Sequence, residues 1–268
     1  MDRNSTIRLF IVVILSITLF GFTKVNNTPP KKYSVLDQVL TTGILRVGVT
    51  ADYVPFAYYD NNANSYQGID IDLANQLAKD MEVELALVPT TRASLTRDIL
   101  LGKFDVAMSG IPRTMQQTLV TNMTTGYFES GKSLLIKKED KERIKDVNSA
   151  DKSGYIIGVK KATTSQKFAE LHFKKAQVQL YQNLEEISNA LKNGNIDVVL
   201  TDNIEAKVLA DKDRTLHAVD PYNPLNTEVL AFAMSPGDKK WQDFLNLWVS
   251  HQLQEGEVIR LQKKWIGE

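Results

Sequence analysis

Gly194-Asn195-Ile196-Asp197-Val198-Val199-Leu200-Thr201-Asp202-Asn203-Ile204-Glu205-Ala206 repeats, in its first five residues, a phrase met earlier as Gly102-Lys103-Phe104-Asp105-Val106. In each case a glycine ends an amphipathic segment, and an apolar run follows that suits a buried strand. The second copy continues through Leu200 to two carboxylates, Asp202 and Glu205, three residues apart at what the pattern predicts to be the first turn of a helix. A phrase of this kind once per half implies two similar α/β lobes.

Strand and helix signals alternate on either side of both copies. In the first half, Ile44–Val49 is expected as a strand and 70–81 as a helix, since Ile71, Ala74, Leu77 and Ala78 recur at helical spacing. A strand over 83–88, a helix over 93–101 ending at Gly102, and a strand over 104–108 complete the unit. The second half predicts strands at 155–159, 178–181 and 196–200, with helices at 164–173 and 184–192. Such alternation implies doubly wound, parallel sheets. A last apolar strand, Val229 to Met234, and amphipathic helices to Trp265 pack most economically back on the first lobe. The chain would then cross between lobes twice, near 127–136 and 224–230. The expected division is an export signal at 1–23, a tether at 24–34, lobe 1 at 35–127 plus 228–268, and lobe 2 at 128–227. Ligands in open α/β sheets sit at the carboxyl ends of strands, so a cleft between the lobes is expected, closed by a hinge motion.

Composition narrows the chemistry. The 268 residues carry 32 basic and 32 acidic side chains with no long block of one sign, which gives no footprint for nucleic acid. Arg3 and Arg8 precede the apolar run Leu9 to Phe20, the layout of an export signal, too short for a transmembrane helix of about 20 apolar residues. The membrane is therefore expected to enter only through export. Cysteine is absent, which removes disulfides, thiol catalysis and Cys–metal sites. His172, His217 and His251 lack metal-ligand spacing, and no Gly-rich nucleotide loop or nucleophile elbow appears, so no cofactor is expected.

Several residues are candidates for a small-molecule site. Tyr53 and Phe56 can stack on a ligand, as pockets favour aromatic walls. Ser109 and Thr114 lie on a strand-end turn whose N–H groups can bind a carboxylate. Arg92 offers an anion contact. Asp202 suits a ligand ammonium, or alternatively an N-cap. Glu205 has two readings as well: a capping-box glutamate favoured by the helix dipole, or a general acid, which requires a dry pocket or a neighbouring anion to keep its proton.

Val47 to Phe56, Gly68 to Ala74 and Ala107 to Ile111, in that order and spacing, resemble the periplasmic amino-acid-binding proteins of ABC importers. The resemblance spans 35–266 and implies a two-lobed type II periplasmic-binding-protein fold, a periplasmic location and an importer as partner. A nearer resemblance is to the cyclohexadienyl dehydratases, exported enzymes on the same fold that aromatise prephenate or arogenate. Asp52-Tyr53, Leu87 to Thr91, Ser130-Gly131-Lys132, Thr201 to Ala206 and His217 to Asp220 carry it. It implies that Glu205 stands where those enzymes keep their general acid. Elsewhere the chain departs from them. Gln117 follows Thr114 where both groups place a carboxylate-clamping arginine. Ala162-Thr163-Thr164-Ser165 replaces a Gly-Gly-Thr-Asn element and looks like a receptor loop, which implies that Thr164, Ser165 and the N–H groups at the helix start bind a carboxylate; Arg92 replaces a tryptophan and Leu230 a lysine. The expectation is ligand capture for an importer, with dehydratase chemistry through Glu205 as the competing reading.

Overall fold

The computed structural model describes residues 33–267; the expected export signal and all but the end of the tether lie outside them. Fourteen strands follow in chain order. They are β1 (Ile44–Val49), β2 (Asp52–Tyr53), β3 (Ala57–Asp60), β4 (Ser65–Gln67), β5 (Glu84–Pro89), β6 (Val106–Pro112) and β7 (Asn122–Met123). After these come β8 (Phe128–Ser130), β9 (Lys132–Lys137), β10 (Ile156–Lys160), β11 (Gln177–Tyr181), β12 (Val198–Asp202), β13 (Leu216–Val219) and β14 (Glu228–Met234).

Two large sheets result, ordered β5-β1-β6-β14-β7 and β11-β10-β12-β9-β13, with β8 paired to β14. In each, three strands are parallel (β5, β1, β6 and β11, β10, β12), as alternation with helices requires. The fourth is antiparallel: β14 runs against β6 and β9 against β12. The wholly parallel sheets expected from the sequence are thus mixed. The exceptions are the strands that leave or enter a sheet where the chain changes lobe, and a chain arriving from the other lobe needs no crossover helix.

Both faces of the first sheet are buried. Val106, Met108, Phe232 and Met234 face a core containing Trp241 and Leu245, while the alternate residues Ala107, Ala231 and Ala233 face a smaller one with Leu95, Ile99 and Phe104. The second sheet repeats this with Val198 and Leu200 on one side and Val199 on the other. These near-continuous apolar runs are what two-sided burial demands.

The two crossings lie side by side. β8 passes into β9 at Gly131, and the returning segment begins β14 at Glu228, which pairs with Ser130. A Cβ on Gly131 would lie 1.9 Å from the Asn226 carbonyl oxygen, so only glycine lets the two chains approach this closely. No helix among the described residues is long and apolar enough to cross a membrane.

Candidate functional site

Between the sheets, at the carboxyl ends of β10 and β12 and beside the ends of β5 and β6, lies a cavity of about 560 Å³. Its size falls in the roughly 300–1,000 Å³ range of small-molecule sites. Tyr53, Arg92, Thr114, Gln117, Thr164, Ser165, Asp202 and Glu205 all line it. Phe56 and Ser109 do not. Phe56 is fully buried against Tyr53 and Phe128, with ring centroids 4.8 and 4.9 Å away. Ser109 is also fully buried. Its hydroxyl accepts from the Thr50 N–H at 2.8 Å, tying the end of β1 to β6, and its carbonyl accepts from Arg92 Nη2 at 2.9 Å. Met115, an apolar residue suited to a core, is instead exposed on a one-turn helix.

Asp202 ends β12 and occupies the N-cap position of the helix Asn203–Lys212, yet its side chain makes no capping bond. One carboxylate oxygen accepts from the Tyr53 hydroxyl at 2.7 Å, across the cleft, and the other from Lys132 Nζ. Lys132 is fully buried and also donates to Glu228 at 2.8 Å. Glu228 in turn accepts from the Thr164 hydroxyl at 3.1 Å. A lysine at the first crossing thus couples a cleft carboxylate to one on the second crossing. Burial opposes the Lys132 charge, and the two carboxylates overcome it, holding the ammonium above its ordinary range.

Glu205 sits in the first turn of the same helix, 5% exposed, and its carboxylate accepts from the Thr201 hydroxyl. Burial, then the neighbouring Asp202 charge, push its carboxyl up to about 7. Its surroundings therefore meet both conditions that acid chemistry requires: little solvent and an adjacent anion. The Tyr53 hydroxyl is held well above its usual range by burial and by Asp202 and Glu205, so it remains a donor.

A second charged group on the cavity lining is cationic. The Arg92 guanidinium stacks over Tyr53 at 5.1 Å from the ring centroid, and Lys160 ends β10. Both reach Asp52: Arg92 Nε lies 3.4 Å from one oxygen, and Lys160 Nζ lies 2.6 Å from the other and 3.0 Å from the Asp52 carbonyl oxygen. Burial works against the Asp52 charge, but Arg92 and Lys160 outweigh it and lower its carboxyl. Sequence reasoning missed Lys160 and the roles of Asp52 and Glu228. Strand-end position was the available signal, since Lys160 is the last residue of β10 just before the Ala162–Ser165 loop.

Gln117 is engaged locally. Its amide donates to the Thr96 and Thr121 hydroxyls at 3.3 Å each, and its N–H donates to Thr114 Oγ1, the N-cap of the same short helix.

A profile of the bacterial extracellular solute-binding proteins, family 3, matches residues 45–268. The chain belongs to this family. Within it, the chain is 30% identical over 233 residues to a cyclohexadienyl dehydratase of Pseudomonas aeruginosa, covering 87% of this chain and 86% of that one. It is 26% identical over 265 residues to the ABC transporter glutamine-binding protein GlnH of Bacillus subtilis, covering 98% and 95%. Among solved structures, an ancestral amino acid-binding protein described as a precursor of cyclohexadienyl dehydratase superposes with a TM-score of 0.79 at 32% identity, over 87% of this chain and all of that one. A putative ABC transporter binding component of Wolinella succinogenes, complexed with lysine, gives 0.80 at 29% identity, over 84% and 97%. These similarities support the two-lobed type II fold, and family 3 solute-binding proteins are extracellular or periplasmic.

Proposed function

We propose that this chain is a periplasmic receptor that captures a zwitterionic amino acid between its lobes and delivers it to an ABC importer. The observation that carries the proposal is the polarity of the cleft. Asp202 stands on one wall with a carboxylate oxygen facing only the Tyr53 hydroxyl from the other lobe. Arg92, from the other lobe, and Lys160, from β10 beside β12, form a second and cationic group on the cavity lining, sharing the single carboxylate of Asp52. A ligand ammonium at Asp202 and a ligand carboxylate toward the cations would match this dipole without leaving a net buried charge, the condition for tight polar recognition. Closure of the lobes would bring Tyr53 to the ligand, as it now comes to Asp202. A relative named as a glutamine-binding protein and a binding component complexed with lysine are consistent with that ligand class.

The test is thermal shift of the purified protein against the twenty standard L-amino acids. A ligand at one hundred times its Kd adds about 2.7 kcal/mol of stability, and the shift should vanish in Asp202→Asn. If no amino acid moves the melting temperature, the receptor reading fails.

One observation favours a second reading: Glu205 is a buried acid on the cleft wall whose carboxyl is raised to about 7. In a prephenate dehydratase it would give its proton to the leaving hydroxyl, released as water. The carbon–carbon bond to the ring carboxylate would break as carbon dioxide leaves, its electron pair completing the aromatic ring. Phenylpyruvate absorbance on mixing with prephenate tests this. Turnover that disappears in Glu205→Gln supports it, and absence of turnover ends it.

A further inference from the structure

We infer that Lys160 is the anchor for the ligand's carboxylate, in place of an arginine at position 117, and that Asp52 holds the anchor until ligand arrives. The inference rests on the receptor reading above and adds the residue that fixes ligand orientation. Gln117 cannot take the arginine's part electrostatically, because an amide carries no charge and this one is bonded to Thr96 and Thr121. Lys160 has what that part requires. Its ammonium lies on the cavity wall, its side chain is 14% exposed, and it reaches across the cleft to the opposite lobe. The wall continues directly into the helix Thr164–His172, where Ser165 lines the cavity with no side-chain hydrogen bond to any described residue. Its hydroxyl is available to share a bound carboxylate with Lys160, and the helix terminus favours an anion there.

Asp52 shows the chemistry of this position. A protein carboxylate already occupies it, paired to Lys160 at 2.6 Å and to Arg92 at 3.4 Å, while remaining 31% exposed on its side chain. Two cations that share one carboxylate leave a positive excess at this end. An incoming carboxylate can neutralise that excess with Arg92 still on Asp52, or displace Asp52 toward solvent. The other charged groups facing Lys160 are accounted for. Glu205 feels its field across the cavity but holds its own proton near neutrality, and Asp202 shares Lys132 with Glu228 and accepts from Tyr53, which leaves it charge to receive the ligand ammonium. An amino acid thus meets a lysine from the second lobe at its carboxylate and an aspartate from the same lobe at its ammonium. Ligand orientation would be set by lobe 2, with lobe 1 closing over it.

The experiment uses the mature protein and the L-amino acid that stabilises it most in the thermal-shift panel, with that amino acid's α-carboxamide as a second probe. Calorimetric titration of wild type, Lys160→Gln, Lys160→Arg and Asp52→Asn gives four affinities for each probe. The wild type is expected to prefer the carboxylate to the carboxamide by about 30-fold, which is roughly 2 kcal/mol. Lys160→Gln should lose that preference while melting normally without ligand, Lys160→Arg should keep most of it, and Asp52→Asn should bind the carboxylate several-fold tighter. Equal carboxylate preference in wild type and Lys160→Gln overturns the anchor, and weaker carboxylate binding in Asp52→Asn overturns the holding role of Asp52. If no amino acid binds wild type, the receptor reading falls and the anchor falls with it, an outcome distinct from binding that ignores position 160.

Discussion

Replacing Lys132 by methionine tests the electrostatic centre of the hinge. Lys132 is fully buried, while Asp202 and Glu228, its two acceptors, are 16% and 13% exposed on their side chains. Methionine fills a similar volume but leaves both carboxylates without their cation. Breaking a buried pair by removing one partner costs about 3–5 kcal/mol. The lower half of that range applies here, because Asp202 keeps the Tyr53 hydroxyl and Glu228 keeps Thr164 and Asn226. For a fold of this size each kcal/mol moves Tm by about 2–4 °C, so Lys132→Met should melt roughly 10 °C lower near pH 7. Adding Glu228→Gln should recover part of the loss, since one of the stranded charges is gone. The sign with pH follows from the raised Lys132 ammonium: its contribution is complete below its unfolded value of 10.5 and is lost as pH rises through the still higher folded value. The deficit should therefore be present throughout the neutral range and shrink only in strong alkali. Circular-dichroism melts of the single and double variants make the measurement. A Tm within about 2 °C of wild type, near the one-kcal/mol level, would refute the assignment of Lys132 as the buried counter-ion of the cleft.

Three further outcomes are expected. Glu205 rises from 4.5 to about 7 and Asp70, buried beneath the cleft floor, from 3.8 to about 6, so both folded forms hold protons more tightly than the unfolded chain does. Stability from these groups is complete below their unfolded values and declines through pH 4.5–7 for Glu205; Glu205→Gln should remove up to about 3 kcal/mol of that decline at 1.36 kcal/mol per pKa unit, read from Tm measured across pH 4 to 8. Gly110 has φ +56°, and a Cβ there would lie 2.4 Å from the Tyr53 ring, so Gly110→Ala should push Tyr53 away from Asp202 and weaken ligand binding by about tenfold, roughly 1.4 kcal/mol, in calorimetric titration. Tyr53→Phe removes the hydrogen bond that spans the cleft, worth about 1 kcal/mol, and small-angle scattering should report a larger radius of gyration without ligand than for wild type.

Much of the fold was legible in the sequence because it rests on local rules. The helix predicted over 70–81 forms at Ile69–Asp80, and that over 184–192 forms at Leu184–Lys192 behind the Asn183 cap. Strand direction was not legible. β9 and β14 are as apolar as their parallel neighbours, and their reversal comes from the path of the chain between lobes. The site divided in the same way. Asp202, Glu205, Thr164 and Arg92 stand at strand ends or helix starts, where position alone predicts a cleft. Phe56 and Ser109 share those motifs but face inward, Phe56 against two other rings and Ser109 against the Thr50 N–H. Periodicity over two or three residues at a turn cannot give that orientation. Lys160 was missed for the converse reason: a lysine after an apolar strand resembles a solvated end until the opposite lobe supplies Asp52.

The two functional readings divide over what neutralises the cleft rather than over Glu205 alone. A dehydratase acting on prephenate must hold two substrate carboxylates and protonate a hydroxyl. With Asp52 retained, Arg92 and Lys160 have one unmatched positive charge between them, enough for one carboxylate. Asp202 would stand beside a dianion with no ammonium to receive, adding repulsion that Lys132 already offsets only in part, since it also serves Glu228. An amino acid matches the same charges with one carboxylate for the cations and one ammonium for Asp202. Its ammonium relieves the Asp202 field that helps to raise Glu205, so ligand binding should lower the Glu205 carboxyl and release protons near pH 7. Calorimetry in buffers of different ionisation enthalpy would read that release. Proton uptake on binding would mean instead that an anion had entered beside Asp202, and would turn the argument toward the dehydratase.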